Sequence, residues 1–197
     1  MQRLVSRVLP AAVVALALAA GPAAGQAPRY TPADVEFMQG MIAHHAQALD
    51  MVALVPERTT TESIRLLAQR IDISQRDEIR LMRNWLTERG QAAPDPAAAH
   101  AHHAGAGHEM LMPGMLTGEQ MARLAAAKGA EFDRLFLQLM IQHHQGALTM
   151  VKTLFGTQGA AQETPTFRYA SEVDTDQRIE IERMRKLLAT LPAAHSP

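Results

Sequence analysis

The sequence contains no cysteine, and this absence narrows the chemistry open to the protein. Disulfide bonds and thiolate metal sites are excluded, so any metal must bind to His, Met or carboxylate side chains. Aromatic residues make up only 4% of the chain, and the formal net charge is -1. Nucleic-acid binding usually needs a basic face or aromatic stacking platforms. We therefore expect no nucleic-acid partner.

The common catalytic signatures are also missing. The chain has no Glu-x-x-His motif, which di-iron and di-manganese bundles use, and no His-Glu-x-x-His zinc motif. Cysteine and a Gly-x-Ser-x-Gly turn are absent too, so nucleophilic catalysis lacks support. We therefore predict that the protein is not an enzyme.

The first 27 residues have the composition of an export signal. Arg3 and Arg7 give a positive start, an apolar run follows, and small residues suited to cleavage come next. The apolar run is shorter than the roughly 20 residues that span a bilayer, which argues against a permanent anchor. We predict a cleaved signal peptide over residues 1–27 and a mature protein that is periplasmic or secreted. The membrane is then involved only through export.

The remaining chain contains an internal duplication. Residues 34–52 and 133–151 are identical at eleven of nineteen positions, at a spacing of ninety-nine residues. Segments 68–86 and 170–188 share a further nine residues at a spacing of one hundred and two. Two such copies commonly pack into one core. We predict two related halves, residues 28–90 and 117–192, joined by a linker over residues 91–116.

Each half is predicted to be a pair of helices. Thr31-Pro32 provides the hydroxyl cap and first-turn proline of a helix start, and Pro56 closes that helix. A second helix begins after Thr61 and carries one apolar stripe. The second half repeats the plan, with its last helix over about residues 165–191, and no segment alternates like a strand. We predict an all-α, four-helix bundle built from two helix hairpins.

The linker is rich in Ala, Gly and Pro, so we expect it to be flexible. It also concentrates imidazole and thioether side chains. Imidazole suits Cu(II) and thioether suits Cu(I), so such tracts bind copper, although an ordinary polar linker is the alternative interpretation. The candidate ligands in the linker are His100, His102, His103, His108, Met110 and Met112.

Each copy of the repeat contains a His-His pair flanked by methionines. At about 100° per residue these side chains fall on the helix face that packs inward. Adjacent histidines diverge on a helix, so residues from another helix would have to complete a metal site. The sequence leaves open whether the copies meet in one site or form two. The candidate ligands are Met41, His44, His45 and Met51 in the first copy and Met140, His143, His144 and Met150 in the second.

Purely structural histidines are the main alternative. A buried histidine is commonly held by a hydrogen bond to a carboxylate, which Asp34, Glu78 and their repeats Asp133 and Glu180 could accept. Against this, a buried polar network costs stability unless it is fully satisfied, and helix packing does not need two consecutive histidines. We therefore favour metal binding. The remaining methionines are interpreted as core residues, among them Met38, Met82, Met121 and Met184.

The motif Asp-x-x-Phe-x-x-x-Met-x-x-His-His-x-x-Ala-x-x-Met, at residues 34–51 and 133–150, resembles that of domain-of-unknown-function family 305. This family comprises bacterial secreted proteins assigned to the ferritin-like superfamily. The resemblance covers nearly the whole mature chain outside the linker. It implies two helix-hairpin repeats in a ferritin-like bundle and, for some members, periplasmic copper binding and copper tolerance. The family label assigns no reaction.

These observations predict a periplasmic or secreted protein that sequesters or transfers copper, as Cu(I) or Cu(II). Zinc, nickel and iron are less favoured ions, and the expected protein partner is a copper exporter or another periplasmic copper protein. A di-iron oxidase and a non-catalytic structural or interaction bundle remain the alternatives. Because imidazole binds metals in its neutral form, the ordinary histidine pKa predicts that copper binding weakens below about pH 6.

Overall fold

A computed structural model of the protein describes residues 30–96 and 111–192. All regular secondary structure within these two ranges is helical. None of these helices has the length and apolarity that are needed to cross a membrane. The predicted signal peptide lies outside the described residues, as do the linker candidates His100, His102, His103, His108 and Met110.

Two helix hairpins form the bundle, as the sequence predicts. The first contains α1 (Pro32–Ala53), the single-turn α2 (Val55–Arg58) and α3 (Glu62–Glu88). The second is preceded by the short α4 (Gly118–Ala126), which the sequence analysis did not predict, and contains α5 (Gly129–Gly156) and α6 (Thr164–Thr190). Helix α1 packs on α3, α5 packs on α6, and α1 and α5 meet in the middle of the bundle.

The start of α1 is fixed by a reciprocal cap. Thr31 Oγ1 accepts a hydrogen bond from the Asp34 backbone N–H at 3.4 Å, and Asp34 Oδ2 accepts one from the Thr31 backbone N–H at 2.6 Å. Pro32 occupies the first turn, where its missing N–H needs no partner. This cap confirms the predicted helix start. At the other end, α1 finishes at Ala53 and Pro56 lies in the first turn of α2.

The two repeat aspartates connect each hairpin to a loop of the other. Asp34 Oδ1 accepts a hydrogen bond at 2.7 Å from the backbone N–H of Ala161, in the α5–α6 loop. Asp133 Oδ2 accepts one at 2.5 Å from the hydroxyl of Thr61, just before α3. Both aspartates are buried, so water competes little for these bonds. Their hydrogen bonds hold the hairpins together and do not go to the histidines, which removes one structural role considered from the sequence.

Apolar side chains fill the bundle in two clusters at opposite ends. One cluster combines the end of α1 with the start of α5, including Met51 and Phe132. The other combines the start of α1 with the end of α5, including Met41 and Val151. The two helices are therefore antiparallel, and the His-His pairs lie between the clusters. The predicted apolar stripe of α3 is buried as expected, at Ile64, Leu67, Ile71, Ile79, Met82 and Leu86.

Residues 111–116, at the end of the predicted linker, pack against the bundle, and we call them the strap. The Leu116 backbone N–H donates to Gln47 Oε1 at 2.7 Å, and Gln47 Nε2 donates to the Leu116 carbonyl at 3.0 Å. Met115 and Leu116 are both buried. The linker predicted at 91–116 therefore ends in a packed segment, because Gln47 satisfies the backbone of the strap where it crosses α1.

Two glycines allow the strap to lie directly on α5. Gly114 has a φ of 77°, which an L side chain rarely adopts. A Cβ atom on Gly146 would lie 1.9 Å from the carbonyl oxygen of Pro113. Since backbone atoms occupy that space, position 146 must remain without a side chain for the strap to stay in place.

Gly146→Ala is expected to destabilise the protein, although alanine is the better helix former. Helix propensity alone favours alanine by about 1 kcal/mol. The added methyl group, however, overlaps the Pro113 carbonyl, and overpacking typically costs about 1–3 kcal/mol. Urea unfolding measures the balance. Gly156→Ala lies in the same helix with open space around it and serves as the control. A Gly146→Ala protein as stable as the wild type would contradict the packing of the strap.

Candidate metal site

Histidines of the two repeats meet at the α1–α5 interface. The imidazole rings of His44 and His143 lie with their centroids 3.9 Å apart and their planes inclined by 38°. His45 and His144 flank them, with ring centroids 6.4 Å and 6.3 Å from those of their sequence neighbours. All four side chains are fully buried. The two copies of the repeat therefore contribute to one cluster of imidazoles, a question that the sequence leaves open.

Each outer histidine is held by a glutamate from the partner helix of its own hairpin. His45 Nε2 bonds to Glu78, and His144 Nε2 bonds to Glu180 Oε2 at 2.6 Å. A carboxylate accepts, so Nε2 carries a proton, and in the neutral ring the lone pair is on Nδ1. Neither Nδ1 atom has a hydrogen-bond partner within the described residues. Metal-binding histidines commonly show this arrangement, in which a carboxylate fixes the tautomer and leaves the other nitrogen free.

The inner histidines, His44 and His143, make fewer hydrogen bonds than polar groups at a buried position require. His44 Nε2 donates to the carbonyl of Pro113 in the strap at 3.0 Å, and its Nδ1 has no partner in the described part of the chain. For His143, neither ring nitrogen makes a full hydrogen bond there, although the backbone of His44 lies close enough to act weakly against the lowering of its pKa. A neutral imidazole carries one N–H donor and one acceptor, and leaving such a group buried and unpaired costs about 1–3 kcal/mol. A bound metal ion or a buried water would therefore satisfy His143 better than its protein neighbours do.

Burial keeps the inner pair neutral. It lowers the pKa of His44 to about 3, and the charge of His45 would add to this effect. It also lowers the pKa of His143 well below the ordinary value, with repulsion from His44 as the next cause. Neutral imidazole is the form that binds metals. The expected loss of copper binding below about pH 6 assumed an ordinary histidine. For the buried pair, protonation requires a much lower pH.

The candidate methionines of the bundle lie in or beside the two apolar clusters. Met51 and Met140 belong to one apolar cluster, and Met41 belongs to the other, with all three fully buried. Packing accounts for these three, because their neighbours are ordinary core residues. Met150 is half-buried beside the second cluster, and Met112 of the strap lies near it.

A preformed cage is not present in the described residues. Within residues 30–96 and 111–192, no three His, Asp or Glu side chains are grouped as a metal site. The arrangement is instead a pair of touching imidazoles with two carboxylate-held imidazoles beside it. Such nitrogen-rich ligands suit copper or zinc, whereas Mg²⁺ and Ca²⁺ require several oxygen ligands.

Sequence reasoning missed the strap as part of this site. Its carbonyl at Pro113 accepts from His44, and the glycine that admits it is Gly146. The signal was available in the repeat itself, since position 146 is equivalent to Gln47 at the spacing of ninety-nine residues. A glycine in one copy and a glutamine in the other shows only that the two copies differ at this position, and the structure gives the reason.

Residues 34–188 match the family model described as a domain of unknown function, DUF305. The chain belongs to the DUF305 family. A DUF305 fragment from Deinococcus radiodurans is 35% identical, with a TM-score of 0.69, over 83% of this chain and 100% of that one. A DUF305 protein from Streptomyces coelicolor, whose name describes it as secreted, is 30% identical, with a TM-score of 0.68, over 83% and 94%. These relatives confirm the family resemblance and the all-α bundle.

Structures of CopM are also similar to this DUF305 protein. CopM in its Cu(II)-bound form is 25% identical, with a TM-score of 0.60, and the match covers 79% of this chain and 95% of that one. CopM in its Cu(I)-bound form is 23% identical with a TM-score of 0.59, which supports a likeness of fold. No curated protein matches the chain.

Acid should destabilise the metal-free DUF305 protein. The pKa of His44 is about 3 in the folded protein and 6.5 for an ordinary histidine, so between these values only the unfolded state binds the proton. Stability present above the higher value is therefore lost as the pH falls, by about 1.4 kcal/mol per pH unit for one such histidine. Urea unfolding over a pH series measures this slope. His143→Leu should make it shallower, and an unchanged slope would contradict the role of burial.

Proposed function

We propose that this protein binds copper outside the cytoplasm, and sequesters or hands on the ion, through the histidine pair between α1 and α5. The observation that carries the proposal is His143, a fully buried imidazole with neither nitrogen bonded in the described residues, packed against His44. Neutral imidazoles in this state are suited to a metal ion. The similarity to CopM in its Cu(II)-bound form supports copper as that ion.

The outer histidines would complete the coordination of the ion. Glu78 and Glu180 hold the Nε2 atoms of His45 and His144, which leaves both Nδ1 lone pairs available. Because the four imidazoles lie inside the bundle, an ion there would be shielded from solvent. Shielding of this kind suits storage or controlled transfer of copper, since free copper ions would otherwise react with other molecules.

The linker would serve as the first point of capture, with the ion supplied by a copper exporter or another periplasmic copper protein. Its histidines lie between the hairpins in the sequence, and the strap at its end reaches His44 through the carbonyl of Pro113. Export is proposed from the composition of the first 27 residues and from the similarity to the secreted Streptomyces coelicolor protein.

A structural bundle is the second candidate function, and the glutamate bonds of the outer histidines favour it. These bonds account for His45 and His144 as satisfied core residues. They do not account for His143, whose nitrogens are unpaired within the described residues. A di-iron oxidase has less support, because the sequence lacks the Glu-x-x-His motif and both glutamates are engaged with histidines.

His143→Leu separates metal binding from a structural role. Replacing an unpaired buried imidazole with an apolar side chain should leave the metal-free protein as stable as the wild type, or more stable by up to about 1 kcal/mol. The same change removes an inner ligand, so copper affinity should fall by more than about tenfold, which corresponds to about 1.4 kcal/mol. Urea unfolding measures the stability, and titration against a competing chelator measures copper affinity.

His144→Leu is the matched control on the same helix. It leaves Oε2 of the buried Glu180 without its histidine partner, which should cost about 1–3 kcal/mol of stability. A protein with alanine at His100, His102, His103 and His108 tests the linker without altering the strap. The proposal would be wrong if His143→Leu were destabilised like His144→Leu and kept its copper, or if only the linker variant lost copper.

A further inference from the structure

Two methionines that the sequence assigns to different groups meet at one point of α1. A Cβ atom on Gly40 would lie 3.3 Å from Met112 Sδ and 3.4 Å from Met150 Cε. Met112 comes from the strap and Met150 from the end of the second repeat motif. The two thioether side chains therefore share the space above Gly40, and they can do so because Gly40 has no side chain.

The other repeat does not reproduce this arrangement. At the spacing of ninety-nine residues, Gly40 is equivalent to Leu139 and Met150 is equivalent to Met51. Met51 is fully buried in the apolar core, whereas Met150 is half-buried. Core filling explains Met51 on its own. Beside Met150, a glycine stands where the other repeat has Leu139, and a second thioether occupies the space. Core filling does not require this difference.

The Met150 side of this arrangement is open to solvent. A surface groove of about 270 Å³ runs beside it, between the start of α1 and the end of α5, with Met150 and Pro113 among its lining residues. The exposed carboxylate of Glu36 also lines the groove. A carboxylate at this position favours the approach of a cation.

We infer that Met112 and Met150 form a thioether site that captures Cu(I) at the surface, separate from the buried histidines. The inference rests on the proposed copper function and adds an entry point and an oxidation state to it. Thioether sulfur is a soft, neutral ligand that selects Cu(I) over harder ions. Residue 113, next to Met112, accepts the hydrogen bond of His44, so the strap connects the capture site to the inner pair.

Replacing both sulfurs tests the site directly. The Met112→Leu/Met150→Leu protein should bind one Cu(I) fewer than the wild type in an anaerobic titration against a Cu(I) chelator. X-ray absorption at the copper edge should show a matching loss of copper–sulfur scattering. Cu(II) binding should be unchanged, because the imidazoles are intact. Met121→Leu is the control, since Met121 is also half-buried but packs against the opposite apolar cluster.

Gly40→Ala tests the same site without removing a ligand. The new methyl group would lie 3.3 Å from Met112 Sδ, so this sulfur must shift and Cu(I) affinity at the site should fall by about tenfold. The fold should be retained because alanine is the better helix former. Gly156→Ala, which has open space around it, is the control for a glycine replacement in a helix.

The outcomes separate this inference from the proposed function. A folded double variant with wild-type Cu(I) stoichiometry and unchanged copper–sulfur scattering would overturn the capture site. If His143→Leu still lowered copper affinity in that case, the histidine site would stand alone. A wild-type protein that binds neither Cu(I) nor Cu(II) would overturn both. Loss of one Cu(I) in the double variant, with Met121→Leu unaffected, is the expected result.

Discussion

The burial of the touching imidazoles of His44 and His143 is the constraint that the rest of the structure has to accommodate. It places two polar rings at the centre of an interface that is otherwise filled by apolar side chains. A buried ring with unpaired nitrogens destabilises a metal-free fold, so stability must come from elsewhere. The apolar clusters at either end supply it, together with the aspartate bonds that join each hairpin to a loop of the other. Functional sites typically lower the stability of the fold locally, and consistent packing elsewhere offsets this loss.

Duplication explains why two histidine pairs meet, and the differences between the copies show how the site is completed. The antiparallel packing of α1 and α5 brings equivalent residues together at the centre, so His44 faces His143. The copies then diverge at two positions. Gly146 replaces the glutamine of the first copy and admits the strap, and Gly40 replaces the leucine of the second copy and admits Met112. The strap therefore makes the two sides of the bundle different, because it contacts the histidines on one side only.

Much of the fold follows from local patterns in the sequence. The Thr31-Pro32 start, the apolar stripe of α3 and the repeat spacing depend on interactions within a few residues, and the structure agrees with each. The burial of the His-His pairs follows from helix geometry, because they share a face with Met41 and Phe37.

The remaining features depend on contacts between distant residues. Asp34 caps its own helix as expected but also binds Ala161, a partner 127 positions away that no local pattern indicates. The contact between Gly114 and Gly146 also joins residues that are far apart in the sequence. The composition of the linker predicts flexibility up to residue 116, so it does not indicate this contact. The depressed pKa of His44 follows from burial by both hairpins together, an effect that the ordinary value for a histidine does not include.

Anomalous diffraction at the copper edge, from crystals of the copper-loaded protein without residues 1–27, tests the central claim most directly. The account predicts an anomalous peak inside the bundle, within bonding distance of a ring nitrogen of both His44 and His143. Its position would also show whether His45 and His144 turn their free nitrogens toward the ion. Copper peaks found only at the surface or along the linker, with the buried imidazoles unchanged, would contradict the account and make these histidines core residues.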